Sequence, residues 1–300
     1  MRLSPIGMTS AWKRWKRKFI RGIFLEEIKK GDYKYNSVIA IEFDEIEANK
    51  SENIKLANST IINTDFHKYC INTNRKFDLI IISDNNAFDF ISKYYNYLFK
   101  DTPILFCGIN DYNKNILEKV PSKDISGVAE EVDIEKNFEL ISKLHPNLKN
   151  LLIINDKSIT GLAVKKDLVK IMEKYKEKFN IEYTDNLEIS DLKDKASNLD
   201  KSNSSILFVL LFKDTTGKYF THKQSFEEIR RVSKAPIYGL WDFYLNSGMV
   251  GGLLTSAVAQ GDTVSKMALD VLNGKDIKDI PIVEKSPNLY IFNYDELKRF

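Results

Sequence analysis

The chain has 300 residues, of which 43% are hydrophobic and 29% are charged, a composition typical of a globular protein with room for two cores. Its 45 basic and 42 acidic residues nearly balance, so the composition predicts no nucleic-acid partner. No apolar run approaches the roughly 18 residues of a transmembrane helix, and the N-terminus lacks the apolar core of a signal peptide. The two cysteines, Cys70 and Cys107, are too few for a disulfide framework and leave the compartment undecided.

Residues 1–7 predict a first strand, and the next segment predicts a helix that Ser10 caps. The apolar residues of this helix recur at three- and four-residue spacing, at Trp12, Trp15, Phe19 and Ile23. Lysines and arginines lie between these aromatics, a pattern that also suits an anionic membrane or nucleic acid. The single apolar stripe favours a helix packed on a core, with its basic face in solvent.

Strands and helices then alternate in two series. The first predicts strands over 37–43, 77–83 and 103–107, with helices over 49–69 and 84–99. After a polar segment at 110–124, the second predicts strands over 151–155, 181–183, 205–212, 237–240 and 249–257, with helices over 160–179, 189–199, 224–233 and from about 262. This alternation predicts two α/β lobes, each with a doubly wound, mainly parallel sheet.

The sequence carries none of the common catalytic or nucleotide-binding motifs, such as G-x-G-x-x-G, G-x-x-x-x-G-K-[ST], H-E-x-x-H and G-x-S-x-G. The three histidines, His67, His145 and His222, are isolated in sequence from any paired ligand. We therefore expect no catalytic residues, no metal and no cofactor. An enzyme on a related two-lobed fold stays open as the alternative.

Polar residues follow five of the predicted strands, at 9–12, 84–86, 108–111, 155–160 and 241–242. Ligands of open α/β sheets bind beyond the carboxyl ends of the strands, and helix N-termini there suit a ligand carboxylate. Any one of these segments is more often a plain helix cap. Five of them at corresponding edges of two lobes predict a ligand cleft across a hinge.

Trp241 and Asp242 follow the strand at 237–240 and form the most distinctive of these strand ends. A large aromatic beside a carboxylate can stack an organic ligand and hold its cationic or hydroxylated end. The alternative is a core tryptophan, with Asp242 capping a local turn. Similarly, Gly248, Gly251 and Gly252 could absorb a hinge motion or make room for a close strand.

Several motifs resemble a known family. The segments at 125–133 and 144–156 are similar to a signature of the substrate-binding proteins of ABC transporters, and 104–111 is similar to their strand before the first hinge crossing. The segments at 84–89 and 238–261 resemble extracytoplasmic sensor domains of bacterial histidine kinases and diguanylate cyclases. The resemblance covers residues 75–300 with specific motifs and residues 1–75 more loosely.

This resemblance implies a type 1 periplasmic-binding-protein fold: two Rossmann-like lobes joined by a three-crossing hinge. It predicts lobe 1 over 1–112 plus 260–276 and lobe 2 over 118–257 plus 280–300, with crossings near 110–124, 256–260 and 275–281. The implied role is non-catalytic binding of a small, amino-acid-like or aromatic molecule outside the cytoplasm. The partner that the resemblance implies is an ABC permease or a fused or tethered signalling kinase. The implied ligand contacts are Ser10, Trp12, Asn85, Asn86, Ser158, Thr160, Trp241 and Asp242.

Overall fold

The computed structural model describes residues 38–42, 77–110 and 112–300. The described residues fall into two compact units. Unit 1 contains those up to Glu131 together with Ala257–Ser286, and unit 2 contains Val132–Ser256 and Pro287–Phe300. The chain therefore passes between the units after residues 131, 256 and 286.

The strands and helices of the described residues are numbered here in chain order. The strands are β1 Val38–Glu42, β2 Leu79–Ser83, β3 Ile104–Ile109, β4 Ile125–Ala129, β5 Asn150–Ile154, β6 Asn180–Thr184, β7 Ser204–Phe208, β8 Ile237–Gly239, β9 Gly251–Leu254 and β10 Leu289–Phe292. The α-helices are α1 Asn85–Leu98, α2 Ile134–Leu144, α3 Ile159–Tyr175, α4 Ile189–Ser197, α5 His222–Val232, α6 Ala257–Leu272 and α7 Tyr294–Arg299. Short 3₁₀ helices occupy Lys114–Lys119, Asp242–Ser247 and Ile277–Asp279.

Unit 1 is built on a parallel sheet with the strand order β1-β2-β3-β4. Alternate residues of β2 point to opposite faces, as the two-residue period of a strand requires. Ile80 and Ile82 pack in one cluster with α1, whereas Leu79 and Ile81 pack in another with α6. The apolar run that predicted this strand is therefore explained by burial on both faces.

Unit 2 contains a six-stranded sheet with the order β10-β9-β8-β7-β5-β6. All its neighbouring strands pair in parallel except β10, which runs antiparallel to β9. Helices α2 and α3 cover one face of the sheet, and α4 and α5 cover the other. From β5 the chain continues into β6, the neighbour of β5 on one side, and then into β7, the neighbour of β5 on the other side. The strand order therefore reverses between β5 and β7.

The boundaries between the units differ from the predicted ones at two places. Lobe 2 was predicted to begin at 118, but β4 pairs along β3 and belongs to unit 1. Lobe 2 was also predicted to take the chain from 280, yet Val283 forms a parallel bridge with Val128, and the Ser126 hydroxyl donates to the Ile280 carbonyl at 2.7 Å. These long-range contacts hold the segment up to Ser286 in unit 1. Helix α6 also begins at Ala257, earlier than the predicted start near 262.

The glycines proposed for a hinge lie within unit 2, several residues from the crossing after 256. Gly248 adopts a left-handed conformation, with φ of 95°, and ends the 3₁₀ helix that begins at Asp242. A Cβ on Gly251 would lie 2.3 Å from the Ile291 carbonyl oxygen, and one on Gly252 would lie 2.8 Å from the Gly239 carbonyl oxygen. Gly251 and Gly252 therefore make room for a closely packed strand, which was the predicted alternative to a hinge role.

In the described part of each unit, a buried amide side chain satisfies backbone groups of distant segments. In unit 2, the amide of Asn137 donates to the carbonyls of Asp133 and Leu253 and accepts from the Leu253 N–H. In unit 1, the Gln260 amide donates to the Ala129 carbonyl and to the Ser286 hydroxyl, and it accepts from the Gly108 N–H. Apolar side chains could not satisfy these backbone groups.

None of the described helices is both long and apolar enough to cross a membrane. Within the same residues, no group of three or more histidines, cysteines, aspartates or glutamates lies close enough to hold a metal ion.

Candidate functional site

The sheet of unit 2 has one edge at which the parallel strands β5 to β9 all end. In open α/β sheets, ligands bind beyond this carboxyl edge, where the strand order reverses. The reversal lies between β5 and β7. Asn155 and Asp156 directly follow β5, and residues 209–212 continue the chain beyond β7. We call this the carboxyl edge of unit 2.

Asp156 joins the two strands on either side of this reversal. Its carboxylate accepts hydrogen bonds from the N–H of Ser158, at 3.0 Å, and from the N–H of Phe212. The side chain is buried and thus fixes the loop after β5 against the chain beyond β7. Asp156 was not predicted as a site residue, and its long-range bond to Phe212 has no sequence signal.

Asn155 is also buried, and its amide reaches two further elements of the edge. The amide donates to the Gly161 carbonyl at 2.9 Å and to the Tyr183 hydroxyl at 3.2 Å. A Cβ on Gly161 would lie 2.4 Å from the Asp156 carbonyl oxygen and 2.9 Å from Asn155 Oδ1. Only glycine therefore lets the first turn of α3 approach the end of β5 so closely.

The polar contacts continue from Asn155 to a charged pair at the end of β6. The Tyr183 hydroxyl donates to Asp185, which also binds the Lys165 ammonium. Burial raises the pKa of Tyr183 to about 12, with the negative charge of Asp185 adding to the effect of burial and the Asn155 bond opposing it. Burial alone would raise the pKa of Asp185, but Lys165 outweighs it, and the net pKa is lowered. Tyr183 is thus a neutral hydroxyl and Asp185 a carboxylate near pH 7.

The predicted residues Ser158 and Thr160 lie at the start of α3. Ser158 is the N-cap, and its hydroxyl accepts from the Gly161 N–H at 3.0 Å. Thr160 is half-buried in the first turn. Since Ser158 is occupied as a cap, its direct role is structural, and the backbone N–H groups of this turn are the part suited to an anion.

Trp241 and Asp242 lie at the carboxyl end of β8, as predicted. The Asp242 N–H donates to the Thr255 carbonyl, and the Thr255 N–H donates to the Leu240 carbonyl, which extends the pairing of β8 with β9. Trp241 is only 3% exposed, and its ring stacks on Phe243 at 6.0 Å between centroids. Asp242 is 9% exposed and begins a 3₁₀ helix. Trp241 is thus a buried ring that lies against Phe243.

Three half-buried aromatic residues that were not predicted lie at the same edge: Phe212, His222 and Phe243. The His222 ring lies 4.6 Å from Phe212 and 4.3 Å from Phe243, with nearly perpendicular planes. A sequence signal existed for His222. Thr221 and Gln224 form a capping box, the T-x-x-Q pattern that begins a helix, and this places His222 at the first position of α5.

The predicted residues of the other lobe are described only in part. Asn85 begins α1, and its amide donates to the Asn110 carbonyl at 3.2 Å and accepts from the Asn110 N–H at 3.0 Å. It therefore links the ends of β2 and β3. Asn86 is the second residue of α1, and its side chain, together with all of Ser10 and Trp12, lies outside the described residues.

Comparison with known proteins identifies relatives of the chain. A curated tyrosine-binding protein of Clostridioides difficile (strain R20291) is 25% identical over 205 residues. The match covers 66% of this chain and 57% of that protein, so the chain spans less than two thirds of the relative's length.

Solved structures share the fold. A ligand-free, open substrate-binding protein with adhesive properties from Clostridium difficile superimposes with a TM-score of 0.61 and 18% identity, covering 95% of this chain and 90% of that chain. A Streptococcus pneumoniae ABC domain in complex with L-Trp gives a TM-score of 0.58 and 17% identity, covering 97% and 90%. The predicted fold class, a two-lobed α/β fold of the type 1 periplasmic-binding-protein kind, is confirmed.

The family comparison extends over most of the chain. The profile of the ABC transporter substrate binding proteins matches residues 20–300, which includes both units and the three passages between them. The chain belongs to the family of ABC transporter substrate-binding proteins.

Proposed function

We propose that the chain binds a small, amino-acid-like molecule at the carboxyl edge of unit 2 and delivers it to an ABC permease outside the cytoplasmic membrane. The observation that carries this proposal is the convergence of three kinds of group at one sheet edge. The first turn of α3, the carboxylate of Asp242 and several half-buried aromatic rings all follow carboxyl ends of parallel strands. Family membership supports the transport role.

An amino acid carries groups that match each of these. Two N–H groups at the start of α3 are occupied within the loop, those of Ser158 and Gly161, and the adjacent Ile159 and Thr160 offer the remaining ones to a carboxylate. Asp242 suits the ammonium group and fixes ligand orientation. The names of two relatives also support this ligand class, since one binds tyrosine and another was solved with L-Trp.

In this proposal the edge binds and does no chemistry. Tyr183, with its raised pKa, and the ion-paired Asp185 are each held in one protonation state near pH 7, which is unsuited to general acid–base catalysis. The alternative function is that of an enzyme acting on a small metabolite. The alternative partner, predicted from resemblance, is a tethered signalling kinase in place of the ABC permease. Recovery of the ligand separates binding from turnover.

We expect isothermal titration to give saturable binding of L-tyrosine or L-tryptophan, with the ligand recovered chemically unchanged by mass spectrometry. Asp242→Asn should weaken binding about tenfold or more, because a charge-assisted hydrogen bond contributes roughly 1.5–3 kcal/mol. Asp167→Asn is the matched control, since Asp167 is an exposed carboxylate on α3 whose partner is Lys170. Equal affinities of the two variants would remove Asp242 from the site, and conversion of the ligand would establish an enzyme.

A further inference from the structure

Four aromatic side chains at the carboxyl edge of unit 2 form a continuous column: Trp241, Phe243, His222 and Phe212. Trp241 stacks on Phe243 with planes 20° apart, whereas His222 meets Phe243 at 73° and Phe212 at 88°. These are the stacked and edge-to-face arrangements that aromatic rings prefer. We use the name aromatic column for these four residues.

Exposure changes along the aromatic column. Trp241 is buried at its inner end, and the neighbouring Tyr244, which lies 4.4 Å from Phe243, is fully buried. Phe243, His222 and Phe212 are only half-buried. The column therefore begins in the core and presents ring surface beyond the strand ends, where a ligand of this fold would lie.

Two half-buried members of the aromatic column, Phe212 and His222, are held by contacts that do not depend on a ligand. The Phe212 N–H is bound by the buried Asp156 carboxylate, and the Phe212 carbonyl accepts from Phe220 N at 2.8 Å. The capping box fixes the start of α5 and hence His222. Rings that are already ordered lose little conformational entropy when a ligand binds, so they suit selective recognition.

On the basis of the proposed function, we propose that Phe212, His222 and Phe243 bind the planar ring of an aromatic ligand and select it over an aliphatic one. An aromatic ligand can extend the aromatic column by one further stacked or edge-to-face contact. A branched aliphatic side chain fills similar area without the quadrupole interaction between rings. The column thus makes the site specific for amino acids with aromatic side chains.

The test compares L-tyrosine with L-leucine by isothermal titration in Phe243→Leu and Phe212→Leu. Leucine keeps apolar area but removes the ring, so each change should lower the affinity for L-tyrosine about five- to tenfold and the affinity for L-leucine less than twofold. Tyr219→Leu is the matched control, because Tyr219 is an exposed aromatic that contacts Lys213 and lies outside the aromatic column. Thermal melts establish that each variant is folded, and Phe212→Leu tests the idea independently if Phe243→Leu does not fold.

Equal losses for both amino acids, or unchanged binding of L-tyrosine in the folded variants, would overturn the proposal. Side-chain analogues separate it from the proposed function. Saturation-transfer NMR on the wild-type chain should detect 4-methylphenol and indole but not cyclohexanol, and the aromatic signals should weaken in Phe212→Leu. Binding of these rings without binding of any amino acid would contradict the proposed function and support the aromatic column. If none of the aromatic probes bound, the proposed role of the aromatic column in binding an aromatic ring would be refuted.

Discussion

Replacing Asn137 with leucine is expected to lower the free energy of unfolding by about 2–6 kcal/mol, because two buried backbone groups lose their partner at roughly 1–3 kcal/mol each. The Asn137 side chain is completely buried. It donates to the Leu253 carbonyl at 2.9 Å and accepts from the Leu253 N–H at 2.9 Å. Leucine has the same branching as asparagine and is larger, so no cavity forms; the loss comes from the unpaired N–H and C=O, and some crowding adds to it.

Urea unfolding followed by circular dichroism measures this loss. Asn115→Leu is the matched control, since Asn115 is exposed in unit 1. That change should alter the free energy of unfolding by less than about 0.5 kcal/mol. Asn137→Asp should be at least as destabilising near pH 7, because it places a carboxylate oxygen against the Leu253 carbonyl oxygen in a completely buried site. If Asn137→Leu were no more destabilising than Asn115→Leu, the amide would have no role in holding β9.

The same reasoning predicts a comparable loss in the other unit when Gln260 is replaced by leucine. Its amide donates to the Ala129 carbonyl at 2.9 Å and to the Ser286 hydroxyl at 3.0 Å, and it accepts from the Gly108 N–H at 3.3 Å. Ala129 and Ser286 lie close to the two places where the chain leaves unit 1, and Gln260 lies close to the place where it returns. We expect about 2–6 kcal/mol of destabilisation, since the Gly108 N–H and the Ala129 carbonyl would be left unpaired.

Hydrogen exchange distinguishes this effect from a general loss of stability. In Gln260→Leu, exchange should quicken in β3, β4 and the segment before Ser286, whereas in Asn137→Leu it should quicken in β9. Lys266→Leu is the control for Gln260, because Lys266 is an exposed residue of the same helix. An exchange pattern that is the same in both core variants would show that the two amides do not act locally.

The elements that the sequence predicts well are those whose own residues determine burial. The apolar run that predicted β2 is a strand with every residue buried, and the run that predicted β7 behaves in the same way. By contrast, β4 contains Ser126 and Gly127, which weaken its strand signal. A Cβ on Gly127 would lie 2.2 Å from the Phe106 carbonyl oxygen, so the close approach of β3 requires glycine at this position. Because such tertiary contacts are not visible in the sequence, lobe 2 was predicted to begin at 118, whereas unit 2 begins at Val132.

The sequence could predict residues that lie at the carboxyl edge of unit 2, but it could not predict the contacts between their side chains. The sequence indicated that Trp241 and Asp242 follow a buried strand, and the structure places them there. That Phe243 covers Trp241 depends on the 3₁₀ helix that begins at Asp242, and that His222 lies against Phe243 depends on where α5 packs. The bond of Asp156 to the Phe212 N–H likewise joins residues 56 positions apart. Side-chain orientation of this kind is set by packing and is not encoded in spacing.

The central claim, that the ligand binds at the carboxyl edge of unit 2, is tested most directly by hydrogen exchange measured with and without saturating L-tyrosine. The account predicts slower exchange of backbone amides in 155–161, at the start of α3, and in 241–248, after β8, with the amino-terminal ends of the same strands unchanged. Demonstrated binding of L-tyrosine that left both segments unprotected, or that protected only the opposite edge of the sheet, would contradict it.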